Sequence, residues 1–152
     1  SCFDPGENVH REGILRTTTV PANITNQQKT EAVLITAKIL ESLNYVGVIG
    51  IEFFLEKGSL LINEFAPRVH NSGHWTQNGC TVDQFEQHVR AIAGWKLGNA
   101  ERHSNIVMEN LIGDEIHKID ELVGEGSPAL HLYGKVDTKP GRKMGHFNRI
   151  KK

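Results

Sequence analysis

Two glutamates stand where apolar residues are expected. Glu52 interrupts the run Val48-Ile49-Gly50-Ile51-Glu52-Phe53-Phe54-Leu55, and Glu64 closes Leu60-Leu61-Ile62-Asn63-Glu64-Phe65. Both runs are rich in β-branched and aromatic residues and are separated by a short segment around Lys57-Gly58, so they read as a β-hairpin with one acid in each strand. A buried carboxylate without a partner is costly, so a partner is implied. Side chains alternate along a strand, and Glu52 and Glu64 share a face only if their pairing sum is even, which calls for a loop of three or five residues about Gly58. Directly opposed, their Cα atoms would lie ~5 Å apart. Like charges that close repel unless a cation lies between them or one is protonated. With no thiolate ligands at hand, a hard, oxygen-seeking ion such as magnesium is favoured. The plainer alternatives are that each Glu faces solvent or pairs with an Arg.

Directly after Glu64 the chain runs Phe65-Ala66-Pro67-Arg68-Val69-His70-Asn71-Ser72-Gly73-His74-Trp75-Thr76, which gathers a guanidinium, two imidazoles, an amide and two hydroxyls. Loops that begin at strand ends are the usual seat of chemistry. Arg68 offers a planar fork of donors suited to a carboxylate, bicarbonate or phosphate. His70 and His74 have the i, i+4 spacing of a helical zinc site, but Asn71 stands where such a site has Glu, and Ser72-Gly73 is a poor helix interior. Either imidazole can instead be a buried histidine hydrogen-bonded within the loop.

The elements that must hold these groups can be placed from their end signals. Thr25 followed by Gln28 forms a capping-box pattern, Val33, Ala37 and Leu40 then share one face, and Asn44 is a stop. A second helix starts from Thr81 with Gln84, continues through Phe85, Val89 and Ile92, and ends at Gly94. Both read as amphipathic helices lying on a sheet. Strands are expected at Tyr45 to Leu55 and Leu60 to Phe65, then near Asn105 to Leu111, Ala129 to Lys135 and Lys143 to Asn148. The opening, Val9 to Val20, contains the β-prone Gly13 to Thr19 and reads as the cut edge of a larger sheet. No strand-helix unit repeats, so the class is α+β rather than doubly wound. A change of composition near Gly98 divides the chain into residues 1–97 and a small β-rich lobe, 98–152.

The 152 residues carry 17 Lys and Arg against 18 Asp and Glu, a formal net charge of −1 with the eight His neutral. That balance speaks against a nucleic-acid binder driven by bulk charge. No run approaches the ~18 apolar residues of a membrane helix, and Ser1 to Arg11 lacks the apolar core of a signal peptide. The expectation is a soluble cytoplasmic protein with no membrane partner. Cys2 and Cys80 are too few for a disulfide framework or a thiolate zinc site and read as plain thiols.

The runs Gly47 to Phe54, Leu61 to Thr76 and Gln84 to His88, with Tyr133-Gly134-Lys135 and Pro140-Gly141-Arg142-Lys143-Met144-Gly145-His146, together resemble 5-(carboxyamino)imidazole ribonucleotide synthase, an ATP-dependent ligase of purine biosynthesis in the ATP-grasp superfamily. The resemblance extends from about Asn8 to His146, and the Pro67 to His74 run is its most specific part. It implies the C-terminal half of an ATP-grasp module, an antiparallel sheet with packed helices, over residues 1–97, followed by a small β-rich C-terminal domain over 98–152. The family's N-terminal Rossmann-like domain and first ATP-grasp half do not precede Ser1, so this stretch alone is expected to be inactive.

In the resembled family, ATP phosphorylates bicarbonate to carboxyphosphate, which carboxylates the exocyclic amine of 5-aminoimidazole ribonucleotide and leaves ADP and phosphate. The resemblance implies that Glu52 and Glu64 hold magnesium against the ATP phosphates, with Asn63 as a neutral ligand or phosphate contact. Arg68 lies beside bicarbonate or carboxyphosphate, while His70 and Asn71 complete the pocket and His70 orients or moves a proton. Lys135 and Arg142 take the ribonucleotide phosphate; read without the resemblance, they belong to a solvated basic tail with Lys143, Arg149, Lys151 and Lys152. A homodimer is implied for the complete enzyme. The rival readings are another ATP-grasp carboxylase or ligase, and a non-catalytic magnesium-nucleotide-binding module.

Overall fold

The opening residues form a hairpin and join a sheet whose other strands come from the end of the chain. In the computed structural model, which describes residues 1–151, β1 (Glu7–Arg11) and β2 (Ile14–Val20) turn about Glu12 and Gly13, both at positive φ. There follow α1 (Asn26–Leu43), β3 (Gly50–Glu56), β4 (Ser59–Ala66), the short helix α2 (Thr76–Gly79) and α3 (Gln84–Ile92). The chain then forms β5 (Ile106–Ile112), α4 (Ile119–Gly124), β6 (Ala129–Leu132) and β7 (Lys143–Ile150). Single 3-10 segments lie at Asn71–Gly73 and Gly113–Lys118.

The strands form one five-stranded antiparallel sheet in the order β1-β2-β5-β7-β6 and a separate two-stranded sheet of β3 and β4. The opening run therefore finds strand partners within this chain, with β1 at the edge of the five-stranded sheet. β2 pairs with β5 from Thr17 opposite Glu109 to Val20 opposite Ile106, so strands from both sides of Gly98 share hydrogen bonds. One face of this sheet supplies the larger core cluster, Leu15, Val20, Ile106 and Met108 packed with Trp75, Cys80 and the edge of Phe3. A smaller cluster, Leu111, Leu122 and Phe147, seats α4. Among the described residues no helix is long and apolar enough to cross a membrane. Both cysteines are free thiols.

The local signals for α1 are realised. Gln28 N–H donates to Thr25 Oγ1 and Thr25 N–H to Gln28 Oε1, and Asn44 closes the helix in the left-handed conformation. The second helix departs from expectation in both its start and its facing. Its cap is Asp83 rather than Thr81, because the Asp83 carboxylate reaches the N–H groups of both Phe85 and Glu86. Gly94, at φ 67°, lies two residues past the helix end. The apolar positions Phe85, Val89 and Ile92 are exposed, whereas Gln84 and Gln87 are the buried ones. Those glutamines find hydrogen-bond partners inside, which is what permits a polar face to turn inward.

Three further boundaries move. β3 begins at Gly50 rather than Tyr45, since Tyr45 Oη is drawn to Pro67 O and Val48 N–H to His88 Nδ1. β6 stops at Leu132, and Lys135 lies in the connection to β7, which bends at the positive-φ residues Gly134 and Gly141. The β3–β4 turn has two residues, Lys57 and Gly58, at φ 49° and 88°, not three or five. A bulge restores the parity: Phe53 pairs with Ile62 but Glu52 with Glu64, leaving Asn63 as the extra residue.

Candidate functional site

The bulge brings Glu52 and Glu64 onto one face of the small sheet, directly opposed. Their environments differ sharply, Glu52 being 8% exposed and Glu64 58%. Glu52 is held by β1 and by the bulge: Asn8 Nδ2 donates to Oε1 at 3.1 Å and Asn63 Nδ2 to Oε2 at 3.4 Å. Asn8 is itself fixed by Thr18, whose hydroxyl donates to Asn8 Oδ1 at 2.8 Å, and His10 Nε2 stands 3.7 Å from Glu52 Oε2. The larger sheet thus braces the acid carried by the smaller one.

His70 closes the group from the loop after β4. Its Nε2 lies 3.4 Å from Glu64 Oε1 and its Nδ1 4.0 Å from Glu52 Oε1. Ser72 N–H donates to Nδ1, and the Ser72 hydroxyl lies 2.8 Å from the same nitrogen, so Nδ1 is the accepting nitrogen and Nε2–H faces Glu64. Burial pushes His70 below its ordinary pKa; Glu52 and Glu64 pull it up, and Arg68 and Lys143 lower it further. Among the described residues, Glu52, Glu64 and His70 are a cluster whose ligand atoms lie within 4.8 Å of one another. Two carboxylates this close are a donor set that fits a hard divalent cation, and the Asn63 amide beside them turns its nitrogen to Glu52.

An ATP-grasp domain model matches residues 1–85, and a model of the phosphoribosylaminoimidazole carboxylase C-terminal domain matches residues 106–152. The chain belongs to the ATP-grasp family. It is 58% identical over 150 residues to the N5-carboxyaminoimidazole ribonucleotide synthase of Brucella melitensis, covering 98% of this chain and 41% of that protein. A structure of an N5-carboxyaminoimidazole ribonucleotide synthetase in complex with ADP superposes with a TM-score of 0.94 at 40% identity, over 98% of this chain and 40% of that one. The Aspergillus clavatus synthase, solved with ADP and 5-aminoimidazole ribonucleotide, gives 0.92 at 32% identity, over 98% and 42%. The chain spans about two fifths of the length of the curated relatives it matches. The resemblance drawn from the Pro67 to His74 loop and its flanking strands is thereby borne out.

The remaining residues singled out from sequence lie on the loop after β4 and on the β6–β7 connection. Arg68 is exposed and donates to Val69 O at 2.9 Å. Asn71 is engaged in both directions with the buried Asn110, at 2.7 and 2.8 Å, and Asn110 also donates to Leu15 O, so the loop is tied to the main sheet. Lys135 and Arg142 sit at opposite ends of the β6–β7 connection, with Lys135 Nζ on Lys143 O at 2.7 Å and Arg142 Nη1 on Asp137 O at 3.1 Å. Lys143, at the start of β7, is lowered by burial, raised by Glu52 and Glu64, and lowered again by Arg68 and Lys135.

His74 is a half-buried loop histidine hydrogen-bonded to Gln84, close to the plain alternative considered for it. It stacks on His146 at 4.7 Å and on Phe85 at 5.5 Å, and His131 covers the far side of His146 at 4.6 Å. Burial lowers His74 to about 4 and His146 to about 3. Tyr133 Oη meets His146 Nδ1 at 2.8 Å, and burial raises that phenol to about 12.

Sequence reasoning gave no part in the site to Asn8, His10, Gln84, Lys143, Tyr133 or His146. The alternation of polar residues Asn8 and His10 along β1, and of Gln84 and Gln87 along α3, was the available signal. Which partner they meet depends on contacts far apart in sequence.

Proposed function

We propose that the complete protein carrying this chain carboxylates 5-aminoimidazole ribonucleotide, using bicarbonate and ATP. ATP phosphorylates bicarbonate; the resulting carboxyphosphate passes its carboxyl group to the exocyclic amine, and ADP and phosphate leave. The observation that carries this reading is the opposition of Glu52 and Glu64 with His70 between them, at the head of the Arg68 to His74 loop. The similarity to synthases solved with ADP and the ribonucleotide supports the same substrates here.

Glu52 and Glu64, with the Asn63 side-chain oxygen, would hold magnesium, which neutralises phosphate charge when bound. Arg68, exposed beside His70, is placed to bind the bicarbonate or carboxyphosphate anion and to stabilise charge that builds during transfer. His70 presents Nε2–H toward Glu64, and its lowered pKa keeps the ring neutral at pH 7, able to orient an anion or accept a proton. Asn71 lines the same loop. Lys135 and Arg142 take the ribonucleotide phosphate from the β6–β7 connection. We read residues 1–97 as the ATP-grasp portion and 98–152 as the C-terminal domain, in a cytoplasmic homodimer.

The test is phosphate release from ATP by a chimaera in which this chain replaces the matching stretch of the Brucella melitensis relative. Release that needs both bicarbonate and the ribonucleotide supports the reading. Release that ignores the ribonucleotide leaves an ATP-grasp enzyme with a different acceptor.

A further inference from the structure

The polar side that α3 turns inward acts on the site. Gln84, in the first turn of α3, is 2% exposed, and its side-chain amide reaches the loop after β4. His70 N–H donates to Gln84 Oε1 at 2.9 Å, while Gln84 Nε2 donates to His70 O at 2.8 Å. One side chain therefore satisfies both main-chain groups of His70, as a neighbouring β-strand would. Gln84 Nε2 also lies 2.7 Å from His74 Nδ1. Since that amide nitrogen can only donate, His74 Nδ1 accepts and its ring proton sits on Nε2.

The rest of the surroundings are fitted to this amide. Gln84 N–H donates to Thr76 Oγ1 at 3.1 Å, and the Thr76 hydroxyl donates to Gly73 O at 2.7 Å, which ties the start of α3 to the loop it clamps. Gly73 leaves the space the amide needs: a methyl group there would lie 2.5 Å from Gln84 Oε1. Turning the amide over would set its NH2 against the His70 N–H and its oxygen against the His70 carbonyl. The order of donor and acceptor is thus specified, which a space-filling side chain would not need. What the clamp fixes is a main chain at φ −125° and ψ 150°, from which the His70 ring extends to Glu64 and Glu52.

We propose that Gln84 is a positioning residue for the carboxylation centre, holding His70 against the Glu52–Glu64 pair through its main chain, with His74 locking the amide's orientation. The catalytic half of this statement rests on the reaction assigned above. The clamp itself is read in this chain without any turnover.

Nitrogen-15 spectra of the histidine rings in the unsubstituted chain report the His74 tautomer. A neutral ring protonated at Nε2, with Nδ1 accepting, is the expected result; a proton on Nδ1 overturns the clamp. Gln84→Met, of similar length but without donor or acceptor, should abolish the Nδ1 signature. In the chimaera the same substitution should lower kcat at least tenfold and leave KM for ATP within twofold. A kcat within twofold of the unsubstituted chimaera, or a KM for ATP that rises in step with the loss, overturns the positioning role. If the unsubstituted chimaera shows no ribonucleotide-dependent ADP formation, the reaction assignment fails, and the His74 tautomer alone then decides the clamp. The same measurement decides it if Gln84→Met does not fold.

Discussion

Glu52 and Glu64 face each other because Asn63, between Ile62 and Glu64, has no partner on the opposite strand. With a two-residue turn and a regular ladder, Asn63 would oppose Glu52 and Glu64 would point to the far side of the sheet. The bulge moves the second acid into line and leaves the Asn63 amide free to reach Glu52. Bulges beside functional sites commonly re-aim a side chain in this way.

The two acids should separate in their effect on folding. Glu64 is 58% exposed, so Glu64→Gln should change stability by less than about 0.5 kcal/mol. In the chimaera it should nevertheless reduce ATP turnover by roughly two orders of magnitude or more, because it removes one charge from a cation site without changing its shape. Urea melts and phosphate release on the same preparation check both parts. Unchanged turnover would remove Glu64 from the cation site.

Glu52→Gln should lose activity and stability together. Glu52 is 8% exposed and accepts from Asn8 and Asn63, so an amide nitrogen in place of one oxygen would confront a donor. Leaving such a buried group unsatisfied costs about 1–3 kcal/mol. The loss should appear as a shifted urea midpoint with an unchanged slope. A midpoint like that of Glu64→Gln would mean that the bracing by β1 contributes nothing.

What could be read in advance was local. The Thr25–Gln28 cap, the two hairpin strands and the acid in each depend on neighbours a few residues away, and all stand in the structure. The parity requirement was sound, but a longer turn and a bulge satisfy it equally well, and no pattern in Ser59 to Ala66 distinguishes them. The facing of α3 was misread because Phe85, Val89 and Ile92 form a regular apolar stripe, whereas burial of Gln84 and Gln87 depends on His70 and Gly98 accepting and donating in return. The pairing of β2 with β5 joins residues about ninety positions apart, beyond the reach of any local period.

Stability should fall as the pH drops below about 6.5. Burial holds His74 at about 4 and His146 at about 3, so both stay neutral in the fold at a pH where the unfolded chain's imidazoles bind protons. The charged or titratable neighbours acting on them, His70, Lys143 and His131 on His74, and His74 and His131 on His146, all add to the lowering. Each of the two histidines therefore contributes stability that is present above pH 6.5 and lost as pH falls toward its folded value, by up to about 1.4 kcal/mol per pH unit. Urea melts at pH 7 and pH 5 measure the slope, which His146→Leu should flatten without abolishing, since His74 and the likewise lowered His70 and His131 still contribute. An unaltered slope would mean that His146 is already charged in the fold.

Arg142→Ala should raise KM for the ribonucleotide at least tenfold and leave KM for ATP within about twofold. Arg142 lies on the β6–β7 connection, and its guanidinium is held by Asp137 O alone among the described residues, so its removal should leave the fold intact. Steady-state kinetics of the chimaera with each substrate varied in turn provide the check. Equal rises in both constants would detach Arg142 from the phosphate of the ribonucleotide.

Gly50→Ala should impair the site from beneath His70. A methyl group at Gly50 would lie 2.6 Å from His70 Cβ and 3.0 Å from Cγ, and Gly50 does not have a positive φ, so the effect is steric crowding rather than backbone strain. His70 cannot withdraw without lengthening its two hydrogen bonds to Gln84 or leaving Glu64. Overpacking of this kind costs about 1–3 kcal/mol, and turnover should fall with it, by at least tenfold if the ring moves by even an ångström. Gly124→Ala is the matched control, because a methyl group there meets nothing within 4 Å and lies on α4, away from the acids. It should leave kcat unchanged. Equal kcat values for the two variants would show that the chemistry does not depend on where His70 sits.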